Sequence, residues 1–151
     1  METITEKSSK QLKKLIIINN DRYEGYKTAA NETDEPELKA LFEHYSHQSK
    51  EFSDELQKLL PDSSYSPEPG ETKNTGKLYR IYMDLKATIA GKDRKAILAS
   101  CEYGEDVAKE AYDKVLENQG GIDEEIVDII RKQRIELQKG HDKIKVMRDS
   151  L

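Results

Sequence analysis

Residues 12–30, LKKLIIINNDRYEGYKTAA, carry the clearest helical signal in the chain. Leu12, Leu15/Ile16, Asn19, Tyr23, Tyr26 and Ala30 recur every three or four positions, the period that puts residues on one face of an α-helix. The spacing predicts a first helix from about residue 4 to 31. Thr33-Asp34-Glu35-Pro36-Glu37 then reads as a stop and restart, with Asp34 as N-cap, Pro36 in the first turn and Glu37 completing a capping box.

The same period continues outward from this stretch. Leu38, Leu41/Phe42, Tyr45, Gln48/Ser49, Phe52, Leu56 and Leu59 mark a second helix ending at Pro61. Residues 61–70 hold three of the four prolines and read as a loop. A shorter helix over 76–90 carries Leu78, Ile81/Tyr82, Leu85 and Ile89, and Gly91 ends it. Asp93 can cap the next long helix, about 93–119, whose stripe is Ile97/Leu98, Cys101, Glu105, Ala108, Tyr112 and Val115/Leu116. Gly120-Gly121 breaks that helix. Asp123 caps the last one, with Ile122 and Val127 placed as a hydrophobic staple. Its stripe is Ile126, Ile129/Ile130, Gln133, Leu137, His141, Ile144 and Met147/Leu151.

Four long amphipathic helices, each about 40 Å at 1.5 Å per residue, are thus paired by short links, and a longer connection with its own helix joins the pairs. Short links make antiparallel neighbours and a long one lets the chain cross. The expected fold is all-α: a single domain over 1–151, an antiparallel four-helix bundle with an additional short crossover helix between the second and third long helices. No alternating strand pattern competes.

Composition narrows the classes of function. With 35% hydrophobic and 36% charged residues, most of each helix must be solvated surface, and 151 residues are enough to bury a core. A net charge of -5 and basic residues interleaved with acids argue against nucleic acid as a partner. Cys101 is the only cysteine, which excludes an internal disulfide and any multi-cysteine metal site. No apolar run approaches the roughly 18 residues of a membrane span. The opening Met1-Glu-Thr-Ile-Thr-Glu-Lys lacks the apolar core of a signal peptide. These features predict a cytoplasmic protein that engages neither membrane nor nucleic acid.

Asp21 with Gly25-Tyr26, the Tyr82-Met83-Asp84-Leu85-Lys86 stretch, Cys101-Glu102-Tyr103-Gly104-Glu105 with Tyr112, and Gln133 with the His141-Asp142 pair together resemble a bacterial family of ferritin-like four-helix bundles, known as a domain of unknown function. The resemblance spans about residues 10–150, and Tyr82 stands where that family usually carries a tryptophan. It implies the ferritin-like fold and no activity, because such folds host many chemistries.

Di-iron carboxylate bundles need a glutamate on each of two helices and a Glu-x-x-His on each of the other two. None of the three histidines obeys that spacing: Leu41 precedes His44, His44 precedes His47, and Gln138 precedes His141 at that distance. Asn19, Gln48/Ser49 and Gln133 occupy stripe positions where a metal centre wants carboxylates. No metal or other cofactor is therefore expected; a di-iron or other metal site, if present, would draw on Glu24, Glu102, Glu105 and His141. His44 and His47, an i,i+3 pair, read as a zinc or nickel pair or, more simply, as a solvated flank. Cys101 reads as a small buried hydrophobe.

Asn19, Tyr23, Tyr26, Tyr45, Glu105, Tyr112, Gln133 and His141 all fall on inner stripes or their edges, which suggests an interior polar layer with Glu105 as its hub. Its donors are expected among Tyr23, Tyr26, Tyr112, Gln133 and His141, with Glu102 pointing to solvent or a groove. Gly25, Gly104 and Gly140 lie inside long helices, each just before a stripe residue, and mark either surface drift or close approach of a neighbour. The leading reading is a non-catalytic protein that self-associates, as a dimer, or binds a partner. The apolar crossover helix (Leu78, Tyr79, Ile81, Tyr82, Met83, Leu85) is offered as the contact surface. The rival is a metal- or oxygen-handling bundle with a non-standard ligand set; the third is a small-ligand binder using the tyrosine-rich interior.

Overall fold

The computed structural model describes residues 6–61 and 73–151. The 61–70 loop expected from the prolines and the N-terminal segment before residue 6 lie outside the described residues, save Pro61, which sits in a bend. Within them the chain is all-helical, with no strand. The five helices are α1 (Glu6–Glu32), α2 (Pro36–Gln57), α3 (Lys73–Ala90), α4 (Arg94–Glu117) and α5 (Glu124–Asp149). No helix among the described residues is long and apolar enough to cross a membrane.

The helix ends follow local chemistry, with two departures from expectation. Asp93 caps α4 by accepting from the Lys95 and Ala96 amides, and Asp123 caps α5 by accepting from Glu125. At α2, however, Asp34 is not the cap. Glu35 holds that position without a side-chain bond, and its amide donates to Thr33 Oγ1 at 3.2 Å. The capping box fails because Arg94, from the start of α4, bonds both Glu35 and Glu37 and draws their side chains across to another helix. At the end of α3 the left-handed residue is Lys92 (φ 57°) rather than Gly91.

Helix directions follow from what meets at each end. Lys92 lies 3.7 Å from Asp34, so the α1/α2 and α3/α4 turns share one end of the molecule. Lys7, at the start of α1, donates to the Gly120 carbonyl, so the α4/α5 turn lies at the other. Hence α1, α3 and α5 point one way and α2 and α4 the other.

α1 packs against α2, α3 and α4, and α4 packs against α5 and α3. This explains why Leu15, Ile16, Ile17 and Ile18 are all buried: a helix covered on several sides must be apolar on several sides. Side chains link α2 to α5, as Tyr45 Oη donates to the Gly140 carbonyl at 3.2 Å. Leu78, Ile81, Tyr82, Leu85 and Ile89 of α3 join the same hydrophobic cluster as the long helices. The expectation that this apolar face is left over for a partner is thereby corrected, since only Tyr79 of those residues stays exposed. The face is consumed by α1 and α4. Tyr82 makes the closest fit: a Cβ on Gly25 would lie 2.1 Å from its Cγ, so the absent side chain is what lets the ring sit on the α1 backbone.

Candidate functional site: a buried arginine–carboxylate network

On α1, Leu15, Asn19, Arg22 and Tyr26 succeed one another at intervals of four, three and four, and all are fully buried. Cys101, Glu105, Ala108 and Tyr112 repeat the pattern on α4. Tyr45 and Ser49 of α2 and Gln133 and Gly140 of α5 face the same interior. The result is a layer of polar groups inside an otherwise apolar core.

Its centre is Arg22 against Glu105. Arg22 Nε donates to Glu105 Oε2 at 2.9 Å and Nη2 donates to Oε1 at 2.7 Å, with both side chains completely shielded from solvent. Such a paired fork is the strongest and most directional arrangement available to these groups. The remaining nitrogen, Nη1, donates to Ser49 Oγ at 2.8 Å and Gln48 Oε1 at 2.9 Å, with a longer contact to the Tyr45 carbonyl. The guanidinium also lies 5.4 Å and 5.1 Å from the Tyr26 and Tyr45 ring centres, within cation–π range. Burial alone would lower the Arg22 pKa, but the charge and hydrogen bonds of Glu105 outweigh it and raise the pKa further.

A directed chain of hydrogen bonds leaves this pair. Ser49 Oγ donates to Asn19 Oδ1 (3.1 Å), Asn19 Nδ2 to Tyr112 Oη (2.7 Å), and Tyr112 Oη to Gln133 Oε1 (2.6 Å). Gln133 Nε2 then donates to the Phe52 carbonyl (3.3 Å) and to Glu55 Oε1 (2.8 Å) at the surface. Every donor points outward from Arg22 and the last acceptor is a carboxylate. The Asn19, Ser49, Tyr112 and Gln133 side chains of this chain are therefore satisfied by one another and by Glu55, as burial demands.

Of the predicted layer residues, Asn19, Tyr26, Tyr45, Glu105, Tyr112 and Gln133 come together here. Two do not. Tyr23 is half-buried at the edge, with Lys27 Nζ 5.5 Å from its ring centre. His141 lies on the α4–α5 flank, with Nε2 3.0 Å from Asp106 and Nδ1 3.1 Å from Asp142. The expected donors to Glu105 are also corrected. Tyr112 bonds Asn19 and Gln133, Tyr45 bonds the α5 backbone, and Arg22 alone supplies hydrogen bonds to both carboxylate oxygens. Glu102 does not point to open solvent: its side chain is 14% exposed and pairs with Arg148.

Arg22 was the residue missed by the pattern reading, which followed the aromatic Tyr23 one position on. Two signals pointed to it. It sits midway between Asn19 and Tyr26 in helical register, and a buried carboxylate hub needs a cation within reach. The set Glu24, Glu102, Glu105 and His141 does not converge, and no group of three such side chains among the described residues could hold a metal ion. His44 and His47 are both exposed, with His47 paired to Glu51 at 2.9 Å.

Burial, with Glu105 as the next cause, pushes the Cys101 thiol and the Tyr26, Tyr45 and Tyr82 phenols upward, and burial likewise raises Tyr112. A thiol held protonated is a poor nucleophile. The arrangement thus fixes a charge pair and orients amides and hydroxyls.

Neither any curated protein nor any solved structure matches this chain. A family model does match over residues 7–118, a span that holds α1 to α4 with both Arg22 and Glu105, and its description is "Domain of unknown function (DUF2383)". The chain belongs to the DUF2383 family.

Proposed function

We propose that this protein is a single ferritin-like domain, an antiparallel four-helix bundle crossed by α3, that serves as a non-catalytic cytoplasmic scaffold working through self-association or partner binding. The run of the long helices supports the ferritin-like reading: α1 and α5 point one way, α2 and α4 the other, with α3 carrying the chain back between the pairs.

One observation carries the non-catalytic reading. Where a carboxylate bundle would gather metal ligands, an arginine side chain supplies the positive charge and Glu105 spends both oxygens on it. Around this pair, Asn19, Ser49, Tyr112 and Gln133 bond one another. Those bonds engage four polar side chains of the interior that would otherwise be open to a metal or small ligand. The outer helix faces are then the working surface. A dimer remains part of the proposal, resting on those outer faces now that α3 packs inward.

The test is metal loading. Protein incubated with ferrous iron or zinc and then desalted is expected to retain substantially less than two ions per chain by elemental analysis. Two tightly held irons would overturn the reading in favour of a metal-handling bundle. Sedimentation across micromolar concentrations measures self-association in the same preparations. A strict monomer there leaves partner binding as the surviving mode and removes the dimer.

A further inference from the structure

α5 packs against α4 and is bonded to α2 at Gly140 and Gln133, which leaves its outer face open. Inward, Ile126, Ile130, Gln133, Leu137, Gly140 and Ile144 are buried at steps of four and three residues. On the opposite side, Lys132, Ile135, Lys139, Asp142, Val146 and Asp149 repeat that spacing, and all of them are exposed. Glu125 and Asp128 continue it toward the start of the helix. Alternating steps of three and four mark the seam along which two helices pack side by side.

Ile135 and Val146 are the exposed large apolar side chains of α5, 55% and 65% open to solvent. Lys139, Asp142 and Asp149 have partners on their own helix, yet their side chains stay more than half exposed. Such surface pairs are worth little, so these charges can re-pair at small cost.

The order along the seam is what selects a partner. Its first half reads cation, apolar, cation, and its second half anion, apolar, anion. Turned end over end, the seam matches itself: Lys132 meets Asp149, Ile135 meets Val146 and Lys139 meets Asp142. A twofold axis makes each of these contacts occur twice. Laid parallel, every charge meets its like. Slid by one heptad, the antiparallel pairing sets Val146 against Asp142 or Ile135 against Lys139.

We propose that a second copy of this chain docks here, α5 against α5 and antiparallel, with the twofold axis at the level of residues 140 and 141. This names the surface for the self-association proposed above and rests on that reading. The two Ile135–Val146 contacts lie about 16 Å apart at 1.5 Å per residue, with ion pairs between and beyond them. An interface of this size belongs to the weak, reversible class.

Ile135→Cys and Val146→Cys proteins, mixed as full chains and oxidised with diamide, test the pairing. Native Cys101 is buried and does not compete. Disulfides between unlike variants are expected to form about tenfold faster than between like ones, because like positions lie about 16 Å apart along the seam, beyond the roughly 7 Å a disulfide spans. In sedimentation, Lys139→Glu is expected to dimerise about tenfold more weakly, and Lys139→Glu/Asp142→Lys to recover, since the pair is rebuilt with its charges exchanged. Suppose the protein dimerises but like and unlike variants cross-link equally, or the double reversal is no better than the single one. Either result overturns this surface and leaves self-association through another face standing. A strict monomer at high micromolar concentration overturns both.

Discussion

Removing the carboxylate of Glu105 should be among the most damaging single substitutions in the chain. In Glu105→Ala the Arg22 guanidinium keeps its bonds to Ser49 and Gln48 but loses those from Nε and Nη2, inside a site with no exposed surface. Each stranded buried donor costs about 1–3 kcal/mol, so two give about 2–6 kcal/mol. Breaking a buried ion pair by removing one partner typically costs about 3–5 kcal/mol, which agrees. A loss of about 4 kcal/mol is thus expected, a large share of the roughly 5–15 kcal/mol that holds a domain folded. Glu105→Gln retains the shape and one acceptor and should lose less. The control is Glu110→Ala on the same helix, 61% exposed and paired only with Lys114, which should stay within about 0.5 kcal/mol. Glu102→Ala is unsuitable as a control because its carboxylate is largely covered and bonded to Arg148. Urea denaturation of the variants, with a double-mutant cycle of Glu105→Leu, Arg22→Leu and Arg22→Leu/Glu105→Leu, measures the effect. The double variant should recover much of the loss, since neither charge is left alone. A Glu105→Ala cost below about 1 kcal/mol, or additive single losses in the cycle, would refute the coupling of Arg22 to Glu105.

Two further outcomes follow from the same packing. Gly25→Ala places a Cβ 2.1 Å from Tyr82 Cγ and should destabilise by more than the usual 1–3 kcal/mol of overpacking, whereas Gly104→Ala meets its neighbours at 3.5 Å and should be neutral or gain up to about 1 kcal/mol in helix propensity. Denaturant midpoints of the two variants check this, and equal losses would count against close α1–α3 packing. Stability should also fall at alkaline pH. Burial raises Cys101 and the four interior tyrosines in the folded state, so from about pH 8.5 for the thiol and about 10 for the phenols the unfolded chain binds fewer protons than the folded one. Each group lowers stability by about 1.4 kcal/mol per pH unit above its unfolded value. Thermal scans should show Tm level below about pH 8.5 and falling steeply above 10, with tyrosinate absorbance appearing together with unfolding; early ionisation of the folded protein would contradict it.

Much of the helical skeleton was legible in the sequence because its causes are local. A 3.6-residue repeat of apolar groups, the Asp93 and Asp123 caps and the breaks at Gly91 and Gly120-Gly121 act over a few residues, and the observed limits fall within a few positions of those expected. The Asp34 cap failed for a non-local reason, the reach of Arg94 from α4. The interior position of Glu105 was likewise readable, since helical register alone points a residue inward.

Partner choice was not readable. Arg22 and Tyr23 are adjacent, and which of them faces the core depends on a rotation of α1 that is set by the three helices covering it. An isolated pattern favours the aromatic residue. Tertiary packing favours the arginine, because a fully buried Glu105 requires a cation within reach and only the side chain at 22 meets both of its oxygens. The apolar face of α3 shows the same division: its sequence declares that it must be buried, while tertiary packing, with Gly25 under the Tyr82 ring, decides that α1 and α4 of the same chain do the burying.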